Sequence, residues 1–116
     1  MVVARERVLQ RGDVAWLTFD PQAGHEQAGR RPAVILSPGS YNGSVGLAIV
    51  CPVTRQAKGY PLEVMLPAGL PVSGVVLADH VRSLDWRARR PEIIGRVPEE
   101  VLTEVVQKLG TLLSSP

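Results

Sequence analysis

A chain of 116 residues, 45% apolar and 21% charged, has room for one packed domain and not for two, and lacks the composition of a disordered chain. One cysteine, Cys51, excludes an internal disulfide framework and a cysteine-rich zinc site, and 4% aromatic residues leave the core to Val, Leu, Ile and Ala. The net charge of +2 is only mildly basic, no apolar run approaches the ~20 residues of a membrane span, and Arg5, Glu6, Arg7 and Arg11 interrupt what would be a signal peptide, so the expected compartment is the cytosol and no membrane partner is expected.

Residues 13–20 (DVAWLTFD) are rich in β-formers and bounded by Gly12 and Pro21, which predicts a strand. Residues 21–30 (PQAGHEQAGR) lack periodicity and predict a loop of about ten residues, longer than the usual ~4–6 and therefore a candidate for function. The continuous apolar run 32–37 (PAVILS) predicts a strand buried on both faces. Residues 38–46 (PGSYNGSVG) read as turn chemistry, including the Asn42–Gly43 pair. A third strand covers 47–54 (LAIVCPVT), with an edge or bulge expected at Pro52, and a polar loop follows at 55–60. Strands are predicted at 62–66, half-exposed around Glu63, at 74–78, and, flanking an arginine-rich turn, at 81–86 and 93–97. Val101, Leu102, Val105, Val106, Leu109, Leu112 and Leu113 then recur at three- and four-residue steps, one face of an amphipathic helix. Pro98 suits its first position, and Glu99 and Glu100 suit the positive end of its dipole. Short strands closed by one terminal helix predict a mainly β, small barrel-like single domain over 1–116.

Charge is segregated. Five arginines (Arg82, Arg87, Arg89, Arg90, Arg96) lie between positions 82 and 96, a second basic group comprises Arg30, Arg31, Arg55 and Lys58, and Glu99, Glu100 and Glu104 follow. Of the 13 basic residues only Lys58 and Lys108 are lysines. The guanidinium fork fits phosphate better than an ammonium does, so the pattern reads either as a polyanion-binding face or as an ordinary solvated surface.

The residues then become recognisable. Gly12-Asp13, Phe19-Asp20-Pro21, Glu26-Gln27-Ala28-Gly29-Arg30-Arg31-Pro32-Ala33-Val34, Leu36-Ser37-Pro38, Cys51-Pro52-Val53-Thr54, Lys58-Gly59-Tyr60-Pro61, Leu77-Ala78-Asp79 and Trp86-Arg87-Ala88-Arg89, in this order, resemble the MazF/PemK family of toxin endoribonucleases, and the MazF branch in particular. The likeness runs from Gly12 into the terminal helix. It implies an SH3-like barrel of the plasmid-maintenance-toxin type and a homodimer with a groove for single-stranded RNA. It implies sequence-specific cleavage of messenger RNA without metal or other cofactor. It also implies an antitoxin whose disordered acidic tail covers the groove, in a complex that binds its own operator DNA through the antitoxin. Toxins of the same fold that poison a protein target such as gyrase offer the alternative reading.

Metal-free cleavage uses the 2′-hydroxyl as nucleophile and yields a 2′,3′-cyclic phosphate and a 5′-hydroxyl end. It needs a proton acceptor, a stabiliser of phosphorane charge and a donor to the leaving oxygen. By resemblance Arg31 is the phosphate clamp, Glu26 the candidate general base and Thr54 a hydroxyl donor to a phosphate oxygen. Taken singly, Arg31 reads equally as a surface ion pair, Glu26 as a carboxylate ordering its loop, and Thr54 as an ordinary strand end. Gln27, Lys58, Arg87 and Arg89 are candidate RNA contacts, and Asp79 a candidate for ordering the turn after its strand. His25 and Arg55 depart from the family pattern, and Arg55 is placed to alter base preference. Trp16 in an apolar strand reads as packing, whereas Trp86 beside three arginines is open to stacking on bases. Cys51 reads as a small buried residue.

Overall fold

The computed structural model describes residues 7–19 and 29–116. Strands β1 (Asp13–Thr18), β2 (Arg30–Ile35) and β3 (Ala48–Thr54) form the middle of an antiparallel sheet, and β4 (Glu63–Met65), β5 (Val75–Leu77), β6 (Arg82–Leu84) and β7 (Glu92–Arg96) complete it. The order is β4-β5-β3-β2-β1-β7, with β6 also on β3, so the barrel-like sheet stays open among the described residues. Helix α2 (Glu99–Ser114) follows β7, as the three- and four-residue apolar steps predict. No helix among the described residues is long and apolar enough to cross a membrane.

The register explains why β1 to β3 carry unbroken apolar runs. Val14 lies opposite Val34, and Val34 opposite Cys51; all three belong to a core layer shared with Val101, Leu102 and Val105 of α2. Their neighbours Ala15, Ala33, Ile35 and Val50 point the other way, into a second layer with Leu17, Phe19 and Trp86. Burial on both faces is the pattern that a continuous run, rather than an alternating one, encodes. The three buried side chains of α2 contribute roughly 2 kcal/mol each in gross burial. Farther along the same stripe Val106, Leu112 and Leu113 are 48%, 49% and 75% exposed, so only the first half of the predicted apolar face is covered within the chain. Pro98 is the residue before the helix, in extended conformation, rather than its first member.

Pro52 marks neither an edge nor a bulge. β3 pairs with β6 through Ala48–Val50 and with β5 through Val53 and Thr54. The residue without an N–H donor thus falls where β3 exchanges one partner for the other. The bulge is elsewhere: Val14 faces Gly95 and Ala15 faces Ile93, which leaves Ile94 unmatched on β7.

The segment predicted as a turn is a short helix, α1 (Gly39–Val45). Its composition is poor for a helix; tertiary hydrogen bonds stabilise it instead. Asn42 is fully buried. Its Nδ2 donates to the carbonyls of Leu9 (2.7 Å) and Ser37 (3.0 Å), and its Oδ1 accepts from Ser37 Oγ. Its own carbonyl accepts from the indole Nε1 of Trp86 at 3.0 Å. Trp86 is therefore 1% exposed and packs in the core, contrary to the stacking role open to it from sequence. A second buried polar group, Asp13, receives Arg96 Nη1 at 2.7 Å and the Gln10 N–H at 2.8 Å, and so ties the start of β1 to the end of β7.

Removing the Asn42 amide takes a donor from two carbonyls and the acceptor from the Ser37 hydroxyl, which keeps only the Ile49 N–H, so Asn42→Ala should lower stability by about 3 kcal/mol in urea titrations. Cys51 is fully buried, and desolvation, with a further contribution from the Asp79 charge, pushes its thiol up to about 12 from 9.0. Native protein should therefore resist thiol reagents at pH 8 and react fully once unfolded. Between about pH 9 and 12 the unfolded chain loses this proton first, so stability should fall with rising pH in that window. Cys51→Ala should lack this part of the fall.

Candidate active site

One end of the sheet collects the C-terminal ends of β1 and β3 and the N-terminal ends of β2, β5 and β7. From the pair Ala33–Pro52, Arg31 and Thr54 each lie two residues further toward this end. Both line one cleft of ≈310 Å³, with Trp16, Arg30, Pro32, Val53, Arg55 and Gln56 on the sheet side and Pro71, Val72 and Ser73 opposite. The opposite wall belongs to the β4–β5 connection. It approaches β7 closely: a Cβ on Gly95 would lie 2.7 Å from Pro71 Cγ.

The cleft is electropositive by its lining. Arg30, Arg31 and Arg55 contribute three guanidinium groups, and no carboxylate lines it among the described residues. Such a lining concentrates anions, and phosphodiesters in particular. Arg30 is also fixed in place: Nη1 donates to Thr18 Oγ1 and to the Arg89 carbonyl, both at 3.4 Å, and Nη2 lies 3.8 Å from Glu92. Thr54 Oγ1 accepts the Gln56 N–H at 3.1 Å. That bond occupies a lone pair and leaves the hydroxyl proton available to a ligand oxygen.

Thr54 and Gln56 also border a second cleft, of ≈380 Å³, lined by Lys58, Tyr60, Leu62, Glu63, Leu77, Asp79 and His80. Glu63 does not face this cleft as an unengaged anion: its carboxylate accepts the N–H groups of Lys58 and Gly59, each at 3.0 Å, and holds the 55–62 loop. The Lys58 ammonium sits 6.0 Å from the Tyr60 ring centroid. Thr54 thus stands at the divide between an arginine-lined chamber and one bearing Lys58.

The remaining predicted residues fall in different places. Glu26, Gln27 and His25 lie outside the described residues; the flanks of their loop are joined by the Phe19 N–H to the Gly29 carbonyl, 2.7 Å. Asp79 is the middle residue of a 3-10 turn, Ala78–His80, and is exposed beside the second cleft. Arg89 donates to the Thr18 carbonyl at 3.1 Å, near the first cleft. Arg87 stacks on Trp86 at 4.4 Å and borders a third cleft with Leu9, Pro91 and Ile93. The basic run 82–96 is accordingly not one face. Trp16, half-buried, lines the arginine cleft: sequence reasoning placed the two tryptophans the wrong way round. Arg30, named in the sequence only within a basic group, borders the cleft because it pairs with Thr18 at the end of β1; no sequence signal pointed to Ser73. No group of three or more His, Cys, Asp or Glu among the described residues forms a metal-binding cluster.

The endoribonuclease toxin MazF of Escherichia coli (strain K12) is 48% identical over 102 residues, covering 88% of this chain and 91% of that protein. The crystal structure of MazF (Form-I) from Deinococcus radiodurans superposes with a TM-score of 0.91 at 62% identity, covering 95% of this chain and all of that one. A MazE–MazF structure (Form-II) from the same organism gives 0.86 at 61% identity, covering 96% of this chain and 100% of that one. A family model described as the PemK-like, MazF-like toxin of type II toxin-antitoxin systems matches residues 10–113, and the chain belongs to that family.

Proposed function

We propose that the chain, acting as one domain over 1–116, is the endoribonuclease toxin of a type II toxin–antitoxin system that cleaves single-stranded messenger RNA in the cytosol and halts translation. One observation carries this reading: Arg31 and Thr54 border a single cleft with two further arginines and no acidic residue among those described. Relatives that carry the activity in their names add to it. No observation favours the gyrase-poisoning alternative.

In this reading the scissile phosphate sits against Arg31 and Thr54. The 2′-oxygen attacks phosphorus, the bond to the 5′-oxygen breaks, the departing oxygen takes a proton from water, and a 2′,3′-cyclic phosphate and a 5′-hydroxyl form. Arg31 holds a non-bridging oxygen and offsets the charge gained in the transition state, where a fixed guanidinium acts most strongly. Thr54 donates a hydrogen bond from its hydroxyl to an oxygen of the same phosphate. Glu26 accepts the 2′-hydroxyl proton. Gln27 contacts a base or sugar, Lys58 holds the phosphate on the far side of Thr54, and Arg87 and Arg89 hold more distant ones. No step calls for a metal or an organic cofactor.

The reading includes two partners. A second copy of the chain forms a symmetric dimer, supported by the exposed Leu112 and Leu113 of α2. A MazE-like antitoxin, supported by the MazE–MazF structures among the similar proteins, inserts an acidic tail into the arginine cleft, supported by the cleft's charge, and brings the complex to operator DNA.

The purified protein should cut single-stranded RNA in EDTA and leave cyclic phosphate ends. Arg31→Ala should lower the rate by ~10²–10³-fold, and Thr54→Ala should lower it with Thr54→Ser retaining most of it. Undiminished cutting by both alanine variants would remove the proposed site, and gyrase inhibition with RNA left intact would replace the reading with its rival. Sedimentation at micromolar concentration should report twice the chain mass.

A further inference from the structure

The Thr54 hydroxyl is useful only if its backbone is held in one place, and the structure shows what lies behind it. Val75 pairs with Thr54 in the β3–β5 ladder. The residue before it, Gly74, has φ +115°, a left-handed conformation that side-chain-bearing residues rarely adopt. Its carbonyl accepts the Leu66 N–H at 3.0 Å, which fixes it to the end of β4. A Cβ at this position would collide with the Thr54 carbonyl oxygen and would stand 2.8 Å from the Thr54 carbonyl carbon and 2.9 Å from Arg55 Cα. These are backbone atoms, which cannot turn aside as a flexible side chain can.

We infer that Gly74 is a positioning residue for RNA cleavage: its bare α-carbon is the seat against which the Thr54–Arg55 backbone rests, and it sets where the Thr54 hydroxyl and the Arg55 guanidinium stand in the arginine cleft. The inference rests on the endoribonuclease reading above. The same connection supplies Ser73, Val72 and Pro71 to the opposite wall. One glycine therefore determines both the placement of Thr54 and the separation of the walls, and a methyl group there acts on catalysis without removing any group that touches RNA.

Gly69 provides the control. It lies in the same connection, has φ +91°, and a Cβ there meets nothing within 4 Å. Gly69→Ala carries a similar backbone penalty without the contact to Thr54. The experiment compares wild type, Gly74→Ala and Gly69→Ala by thermal melting, by single-turnover cleavage of an RNA oligonucleotide, and by affinity for the same oligonucleotide with 2′-deoxy sugar at the scissile position. A displacement of about 1 Å in a reacting group lowers rates ~10²-fold. Gly74→Ala, folded at the assay temperature, should therefore lose about that factor in single-turnover rate, with affinity for the uncleavable oligonucleotide changed less than threefold. Gly69→Ala should cleave like wild type even where its melting temperature falls by as much. Wild-type rates from Gly74→Ala, or equal losses from both variants, would overturn the inference. So would a Gly74→Ala chain that cannot fold while Gly69→Ala does, since the glycine would then serve the fold and not the site. A wild-type protein that leaves RNA intact would instead overturn the endoribonuclease reading.

Discussion

The antiparallel register that sets Ala33 opposite Pro52 is the constraint on which the rest of the molecule depends. Through it, two residues of unremarkable type at two strand ends, Arg31 and Thr54, come to border one cleft. A strand buried on only one face fixes its register by its polar–apolar alternation. β2 is apolar on both faces over Ala33, Val34 and Ile35, so that device is missing here. Size takes its place. Ala15, Ala33 and Ala48 lie in the layer that holds Trp86 and Phe19, whereas the layer beneath α2 is filled with valines. A one-residue slip would bring valines against the large rings and leave alanines under the helix, overpacking one layer and opening voids in the other.

Arginine serves two purposes that composition cannot separate. Arg96 neutralises the buried Asp13, and Arg87 stacks on an indole. Arg82 lies over the Phe19 ring at 5.5 Å. These positions use the planar, weakly hydrated guanidinium as a packing element. Arg30, Arg31 and Arg55 instead face a cleft without acidic lining among the described residues. Arg30 joins the two groups, since its hydrogen bonds hold it against β1 and Arg89 while it still borders the cleft.

What the sequence made legible was the periodic part. The unbroken run of β2, the stepwise stripe of α2 and the apolar character around Cys51 each reflect a local environment, and local environment is what residue pattern encodes. The failures share a cause. Helix α1 forms because Asn42 reaches Leu9 and Trp86, both distant in sequence; a window containing Gly, Ser and Asn carries no trace of those bonds. Trp16, on β1 opposite Pro32, lines the cleft, whereas Trp86, beyond the end of β6, reaches back into the second core layer. Neighbouring residues in the chain carry no record of those distant surroundings. Arg31 and Thr54 were singled out by family resemblance and not by any pattern of their own, since each taken alone has an ordinary structural reading. Pro52 is neither the edge nor the bulge expected there. That it marks an exchange of partners required knowing that β5 and β6 share one side of β3.

The chemistry of the cleft also bears on how such an enzyme is restrained. A guanidinium fork accepts a carboxylate with nearly the geometry it offers a phosphodiester. A lining of Arg30, Arg31 and Arg55 therefore favours an acidic peptide for the same reason that it favours RNA. Both ligands displace the same counterions, so raised salt weakens both and changes their ratio little. An acidic peptide there excludes RNA with no second site and no change of shape, only by occupying the same three guanidinium groups. What a carboxylate lacks is a 2′-hydroxyl beside a phosphorus atom. An acidic peptide in the cleft meets the same guanidinium groups and presents no phosphodiester for a 2′-hydroxyl to attack.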